Sequence, residues 1–115
     1  MCGIVGYTGS KNCSDIITDG LKKLEYRGYD SAGIAFEQPA KVTVLKAVGK
    51  VNNLEALIAQ TGVNSPCGIG HTRWATHGKP STENSHPHTD CTGKIALVHN
   101  GIIENYTEFK HKLDH

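Results

Sequence analysis

The apolar residues of this chain come in short runs, each closed off by turn-forming residues. That spacing restricts the fold to short strands and a few modest helices. Ile4-Val5 sits between Gly3 and Gly6 and reads as a short buried strand. Thr8-Gly9-Ser10-Lys11-Asn12 is a turn, and Ser14-Asp15 can open a helix with Ile16, Ile17, Leu21 and Leu24 on one stripe. That helix should stop near Tyr26-Arg27-Gly28. Ala32 to Phe36 and Lys41 to Lys46 read as strands joined at Gln38-Pro39-Ala40, a hairpin. A second helix opens at Val51-Asn52-Asn53 and turns Leu54, Leu57 and Ile58 inward. After a loop over 61–66, Cys67 to Thr72 is a glycine-rich strand. Trp74 to Gly93 is a long loop, Lys94 to His99 a strand, and Asn100-Gly101 a tight turn. A last helix begins near Glu104 or Asn105. Strands outnumber helices and the first two bracket a helix, so helices should pack on an antiparallel or mixed sheet.

At 115 residues the chain is at most one domain, with a modest core. Its net charge of +1 gives no reason to expect nucleic acid or an anionic membrane as partner. No run approaches a membrane span, and the N-terminus lacks the basic-then-apolar layout of a signal peptide. Cys2, Cys13, Cys67 and Cys91 are widely spaced, which argues against a disulfide framework and for a reducing, cytoplasmic setting.

Cys2 directly follows the initiator methionine and is small enough for Met1 to be trimmed away. Trimming would place a thiol and a free α-amine on one residue. The amine titrates near pH 8, at about 7.7–8.0 in model compounds, and can take the thiol proton directly or through a water. The alternative is an ordinary buried cysteine.

Three further stretches carry more polar chemistry than a core needs. Leu24 to Gly33 holds Glu25, Arg27 and Asp30 together with two tyrosines and two glycines. It is either a charged connection or a clasp in which Arg27 makes a two-point bond to Asp30 or Glu25. Gly70 to Gly78 runs from a strand end into the long loop. Arg73 there can grip a carboxylate bidentately, Trp74 can cover a ligand, and Thr76 and His77 add donors. The alternative is an arginine in a surface ion pair and a tryptophan in the core. Val98 to Ile102 is first a turn, but an asparagine amide beside a backbone N–H can also form an oxyanion hole from Asn100 and Gly101. A rival for the whole region is a metal site drawn from His71, His77, His86, His88 and Cys91. It lacks both a Cys-x-x-Cys pair and a His-Glu-x-x-His helix.

Taken together, Met1 to Gly6, Leu24 to Gly33, Gly70 to Gly78, Asn84-Ser85-His86-Pro87-His88 and His99 to Tyr106 closely resemble the glutaminase portion of the glutamine–fructose-6-phosphate amidotransferases. The wording of Glu25 to Asp30 and Thr72 to His77 favours this family over the phosphoribosyl-pyrophosphate amidotransferases. The resemblance implies an α+β N-terminal-nucleophile hydrolase fold, a four-layer αββα sandwich that would be incomplete over residues 1–115. It implies hydrolysis of the L-glutamine side-chain amide, the ammonia serving to convert fructose 6-phosphate to glucosamine 6-phosphate in a separate sugar domain. Cys2 then resembles the nucleophile, with its amine as base, and Asn100 and Gly101 the oxyanion hole. Arg73 resembles the grip on the glutamine α-carboxylate, helped by Thr76 and His77, and Trp74 the indole covering the site. No metal or organic cofactor is implied, and a homo-oligomer is implied for the full-length protein.

Ser85 departs from the family, where alanine is common before His-Pro-His. Length departs more. The family's glutaminase domain is about twice this long, within ordinary domain sizes. It includes a downstream aspartate for the substrate amino group. The chain is therefore expected to be a fragment, aggregation-prone and without useful turnover when isolated. The non-enzyme alternative is a module that binds glutamine without hydrolysing it.

Overall fold

A computed structural model describes residues 3–25, 30–74, 85–100 and 105–113. The elements, in order, are β1 (Gly3–Thr8), α1 (Cys13–Leu24), β2 (Ser31–Glu37), β3 (Val42–Val48), α2 (Val51–Thr61), β4 (Cys67–Arg73), β5 (His88–Thr89), β6 (Ala96–Leu97) and α3 (Tyr106–Leu113). The first four strands in spatial order, β1-β4-β2-β3, form one sheet in which every pairing is antiparallel. β5 and β6 pair separately.

Strand alternation sorts the sheet into two faces. Ala32, Ile34 and Phe36 of β2 face α1 and α2, where they meet Cys13, Ile17 and Leu21 of α1 and Val51 and Leu54 of α2. Ile17, Leu21, Ile34, Val51 and Leu54 are fully buried. Each such side chain contributes about 1.5–3 kcal/mol relative to exposure. Ile16 does not join the expected stripe: it is among the exposed apolar residues, because the helix turns it about 100° away from Ile17. Gly68 and Gly70 of β4 let α1 lie close against the sheet. A Cβ at Gly70 would stand 2.3 Å from Ile17 Cγ2, and one at Gly68 2.9 Å from Cys13 Sγ.

Helix α1 begins one residue before the expected Ser14, and its cap is Asn12. The Asn12 Oδ1 accepts from the backbone N–H of Ser14 and of Ser65, while its Nδ2 donates to Val63 O at 2.7 Å. One side chain therefore starts the helix and ties down the loop entering β4. An exposed Lys22–Glu55 pair at 2.8 Å links α1 to α2.

The opposite face of β2 carries Ser31, Gly33 and Ala35. Residues 85–88 lie across it: a Cβ on Gly33 would meet the backbone carbonyl of His86. Val42 N–H donates to Gly93 O at 2.9 Å, holding the 90–95 turn against the start of β3.

The hairpin and the second helix match expectation. The strand expected over Lys94 to His99 is reduced to the two residues of β6, since its partner β5 also has only two. β5 itself interrupts the expected loop from Trp74 to Gly93. The expected turn at Asn100-Gly101 lies partly outside the described residues. The expected last helix is present as α3.

Candidate functional site

The site region lies at the end of β4. His71 and Arg73 are two residues apart on one strand and so share a face. That face is opposite the helices, since Gly70 and Thr72 take the helix side. Both are buried, His71 at 1% and Arg73 at 9% exposure. The Arg73 carbonyl accepts from Asp30 N–H at 2.7 Å, and the Asp30 carbonyl accepts from Gly49 N–H at 2.9 Å. Three chain segments thus meet at the Arg73 end of the sheet.

Asn100 reaches this face from 29 residues away: its Oδ1 lies 2.6 Å from His71 Nε2. The His71 ring packs on His86 with centroids 4.3 Å apart and planes 30° apart, and His86 meets His88 at 4.4 Å, tilted by 54°. His86 Nδ1 accepts the His99 N–H at 3.4 Å, a long bond. Lys46, opposite Gly33 on β3, presents its charge to the same face.

These surroundings keep the imidazoles neutral. Burial pushes His71 below its ordinary range, more than the bond to Asn100 raises it, and the Arg73 charge adds to the lowering. His86 is pushed down to about 4, first by burial and then by His71, His88, Arg73 and Lys46. His88 is lowered by burial and by the charges of Lys46 and Arg73. Burial also lowers Lys46.

The unfolded chain takes up these protons as pH falls through 6.5, whereas folded His86 does so only near pH 4. Stability contributed by the neutral rings is therefore complete above pH 6.5 and lost as pH falls toward 4. For His86 the loss is about 1–2 kcal/mol after allowance for solvent screening. Urea denaturation at a series of pH values should show this decline. His86→Asn, which keeps an acceptor for His99 N–H but does not titrate there, should flatten it; an unchanged slope would place the proton uptake elsewhere.

Of the residues expected from sequence to form a site, the structure places Arg73 on the strand face that carries His71, and Asn100 against His71. Trp74 follows Arg73 at the sheet margin and is 48% exposed, so it is not a core tryptophan. Cys2, Thr76, His77 and Gly101 lie outside the described residues, as does Arg27 of the expected clasp. Cys2 adjoins Gly3, which pairs with Thr72, one residue before Arg73.

Of the rival metal set, His77 lies outside the described residues. Among the described residues no three His, Cys, Asp or Glu side chains converge as a metal would require. The imidazole rings of His71, His86 and His88 pack successively in tilted contacts, and Cys91 is exposed. No described helix is long and apolar enough to cross a membrane.

His71 is the residue whose part was missed at the sequence level, where it counted only as a metal ligand. Its alternation with Arg73 was visible, but its bond to Asn100 depends on chain folding.

Among solved structures, glutamine phosphoribosylpyrophosphate amidotransferase from B. subtilis, complexed with ADP and GMP, superposes with a TM-score of 0.80. It is 30% identical over 99% of this chain and 25% of its own. A structure described as the allosteric regulatory enzyme of purine biosynthesis gives 0.82 at 31% identity, with the same coverage. The fold is that of the N-terminal-nucleophile glutamine amidotransferases.

Sequence narrows this further. The glutamine–fructose-6-phosphate aminotransferase (isomerizing) of Pyrococcus horikoshii is 57% identical over 98% of this chain, and that of Thermus thermophilus 55% over 99%. The chain belongs to the glutamine–fructose-6-phosphate aminotransferase family and spans 19% of the length of these curated relatives. No family model matches it.

Proposed function

We propose that residues 1–115 supply part of a glutaminase domain that hydrolyses the side-chain amide of L-glutamine through Cys2. The observation that carries this is that buried Arg73 shares a strand face with His71, which Asn100 reaches at 2.6 Å, beside the strand that Cys2 precedes. In this reading the thiolate of Cys2 attacks the amide carbon, with its own α-amine as base. The Asn100 side-chain N–H and the Gly101 backbone N–H take the negative oxygen of the tetrahedral intermediate. Arg73 binds the substrate α-carboxylate, Thr76 and His77 assist it, and Trp74 covers the site.

Ammonia leaves and water hydrolyses the remaining thioester to glutamate. The ammonia goes to a sugar domain outside these residues, where fructose 6-phosphate becomes glucosamine 6-phosphate. The full-length protein is a cytoplasmic homo-oligomer, and its glutaminase half uses no cofactor. The names and folds of the relatives support this reading.

Arg73→Lys tests it. Lysine keeps the charge but loses the planar fork, and losing a charge-assisted hydrogen bond costs about 1.5–3 kcal/mol. Measured by glutamate release from the full encoded chain, KM for glutamine should rise about ten- to hundredfold, with kcat less affected. An unchanged KM would remove Arg73 from the carboxylate site, and no glutamate release from the unaltered protein would end the proposal.

A further inference from the structure

We infer that His71 is the positioning residue of the oxyanion hole. Its Nε2–H holds the oxygen of the Asn100 carboxamide and so turns the Asn100 N–H donors toward the substrate. This rests on the glutaminase reading above.

A carboxamide has two unlike ends. Only the nitrogen end can stabilise a developing oxyanion; rotated half a turn, the amide would present its oxygen and repel the negative charge. An asparagine beside a turn has nothing of its own to prevent that rotation. In this structure Oδ1 is the end that meets His71 Nε2, at 2.6 Å. The bond forms only if the ring proton is on Nε2. His71 Nδ1 is buried and has no hydrogen-bond partner among the described residues, so no acceptor draws the proton to that nitrogen. With the proton on Nε2, the carboxamide oxygen is the end that fits.

The support behind the ring is stiff. β4 is an interior strand between β1 and β2, and His71 is 1% exposed and packed on His86. The charge of Arg73 on the same face favours the neutral ring. A strand interior therefore fixes the orientation of a side chain carried by a loop, which is what an oxyanion donor needs before the charge develops.

A double-mutant cycle on the full encoded chain tests this, with glutamate release as the readout and thermal melting as a check on folding. His71→Leu should lower kcat about ten- to hundredfold, part of the effect of removing one oxyanion donor. KM for glutamine should stay within about threefold, because ground-state binding does not use the hole. His71→Gln places an amide N–H near the position of Nε2 and should recover most of the rate. In an Asn100→Ala background, His71→Leu should cost less than about twofold more, since the group it positions is gone.

Should His71→Leu fail to fold, His71→Asn replaces it, being polar but too short to reach Asn100, with the same losses expected. Wild-type kcat in the single variant, or an equal loss in both backgrounds, would overturn the role of His71 and leave the glutaminase reading standing. An unaltered protein that releases no glutamate would overturn both.

Discussion

Cys2→Ala is expected to lower glutamine hydrolysis by the full encoded chain at least about a thousandfold, since no other group in the site can form the thioester. The remaining cysteines differ physically from a nucleophile. Cys13 is fully buried in the core at the start of α1, and burial pushes its thiol pKa up. Cys67 is half-buried at the far end of β4 from Arg73, and Cys91 is exposed in the 90–95 turn. A glutamine-shaped electrophile should therefore label Cys2, whereas a small general thiol reagent should reach Cys91 before Cys13 or Cys67. Cys91→Ala should retain nearly full activity. Cys13→Ala should lower stability by removing a core side chain while leaving the chemistry of the folded fraction intact. Mass spectrometry of the labelled protein, with glutamate release by each variant, separates these outcomes. Activity within about tenfold of wild type in Cys2→Ala would show that another group attacks the amide.

Gly33→Ala should produce the largest loss of stability, about 3 kcal/mol or more. An added Cβ would lie 1.9 Å from the carbonyl oxygen of His86, 2.9 Å from its carbonyl carbon and 3.0 Å from Pro87 Cδ. The nearest obstacles are backbone, and a proline ring stands behind them. β2 is paired on both edges, so it cannot retreat either. Either the sheet distorts or residues 85–88 lift off it. Lifting them would disturb the His86 ring on which His71 packs. Urea denaturation of Gly33→Ala measures the effect, with Gly6→Ala as the comparison. At Gly6 the nearest atom to a new Cβ is Ile69 Cγ2 at 3.9 Å, so little should change beyond backbone preference. A loss below about 0.5 kcal/mol at Gly33, the size of an ordinary surface change, would mean that 85–88 is not seated on β2.

The helices and the hairpin were legible because their signals are local. Ile17 and Leu21 repeat at helical spacing, Leu54 begins a second stripe, and Ile34 and Phe36 alternate as a strand facing a core. The order β1-β4-β2-β3 was not legible, since periodicity places residues on faces and says nothing of which strands are neighbours. Lys94 to His99 holds a short apolar run that reads as a strand, yet only Ala96 and Leu97 pair, because a ladder extends no further than its partner. The same limit hid the site's connection. Arg73 could be singled out by its residue type at a strand end, and Asn100 by its glycine neighbour. The hydrogen bond that brings Asn100 to His71, on the strand face that also carries Arg73, spans 29 residues and exists only after folding.

The register of β1 carries a consequence for what this sequence can tolerate. Gly3 pairs with Thr72 and Val5 with Gly70. A Cβ on Gly3 would fall 2.5 Å from Leu24 Cδ1, and a Cβ on Gly20 would fall 2.9 Å from Val5 Cγ2. These two contacts with α1 pin the strand lengthwise. Because side chains alternate, a slip of one residue would exchange the two faces of β1 and move the start of the strand by about 3.4 Å. Many substitutions in β1 could keep its faces intact, but an insertion or deletion between Cys2 and Val5 could not. At this end of the molecule the count of residues is under as strict a constraint as their identity.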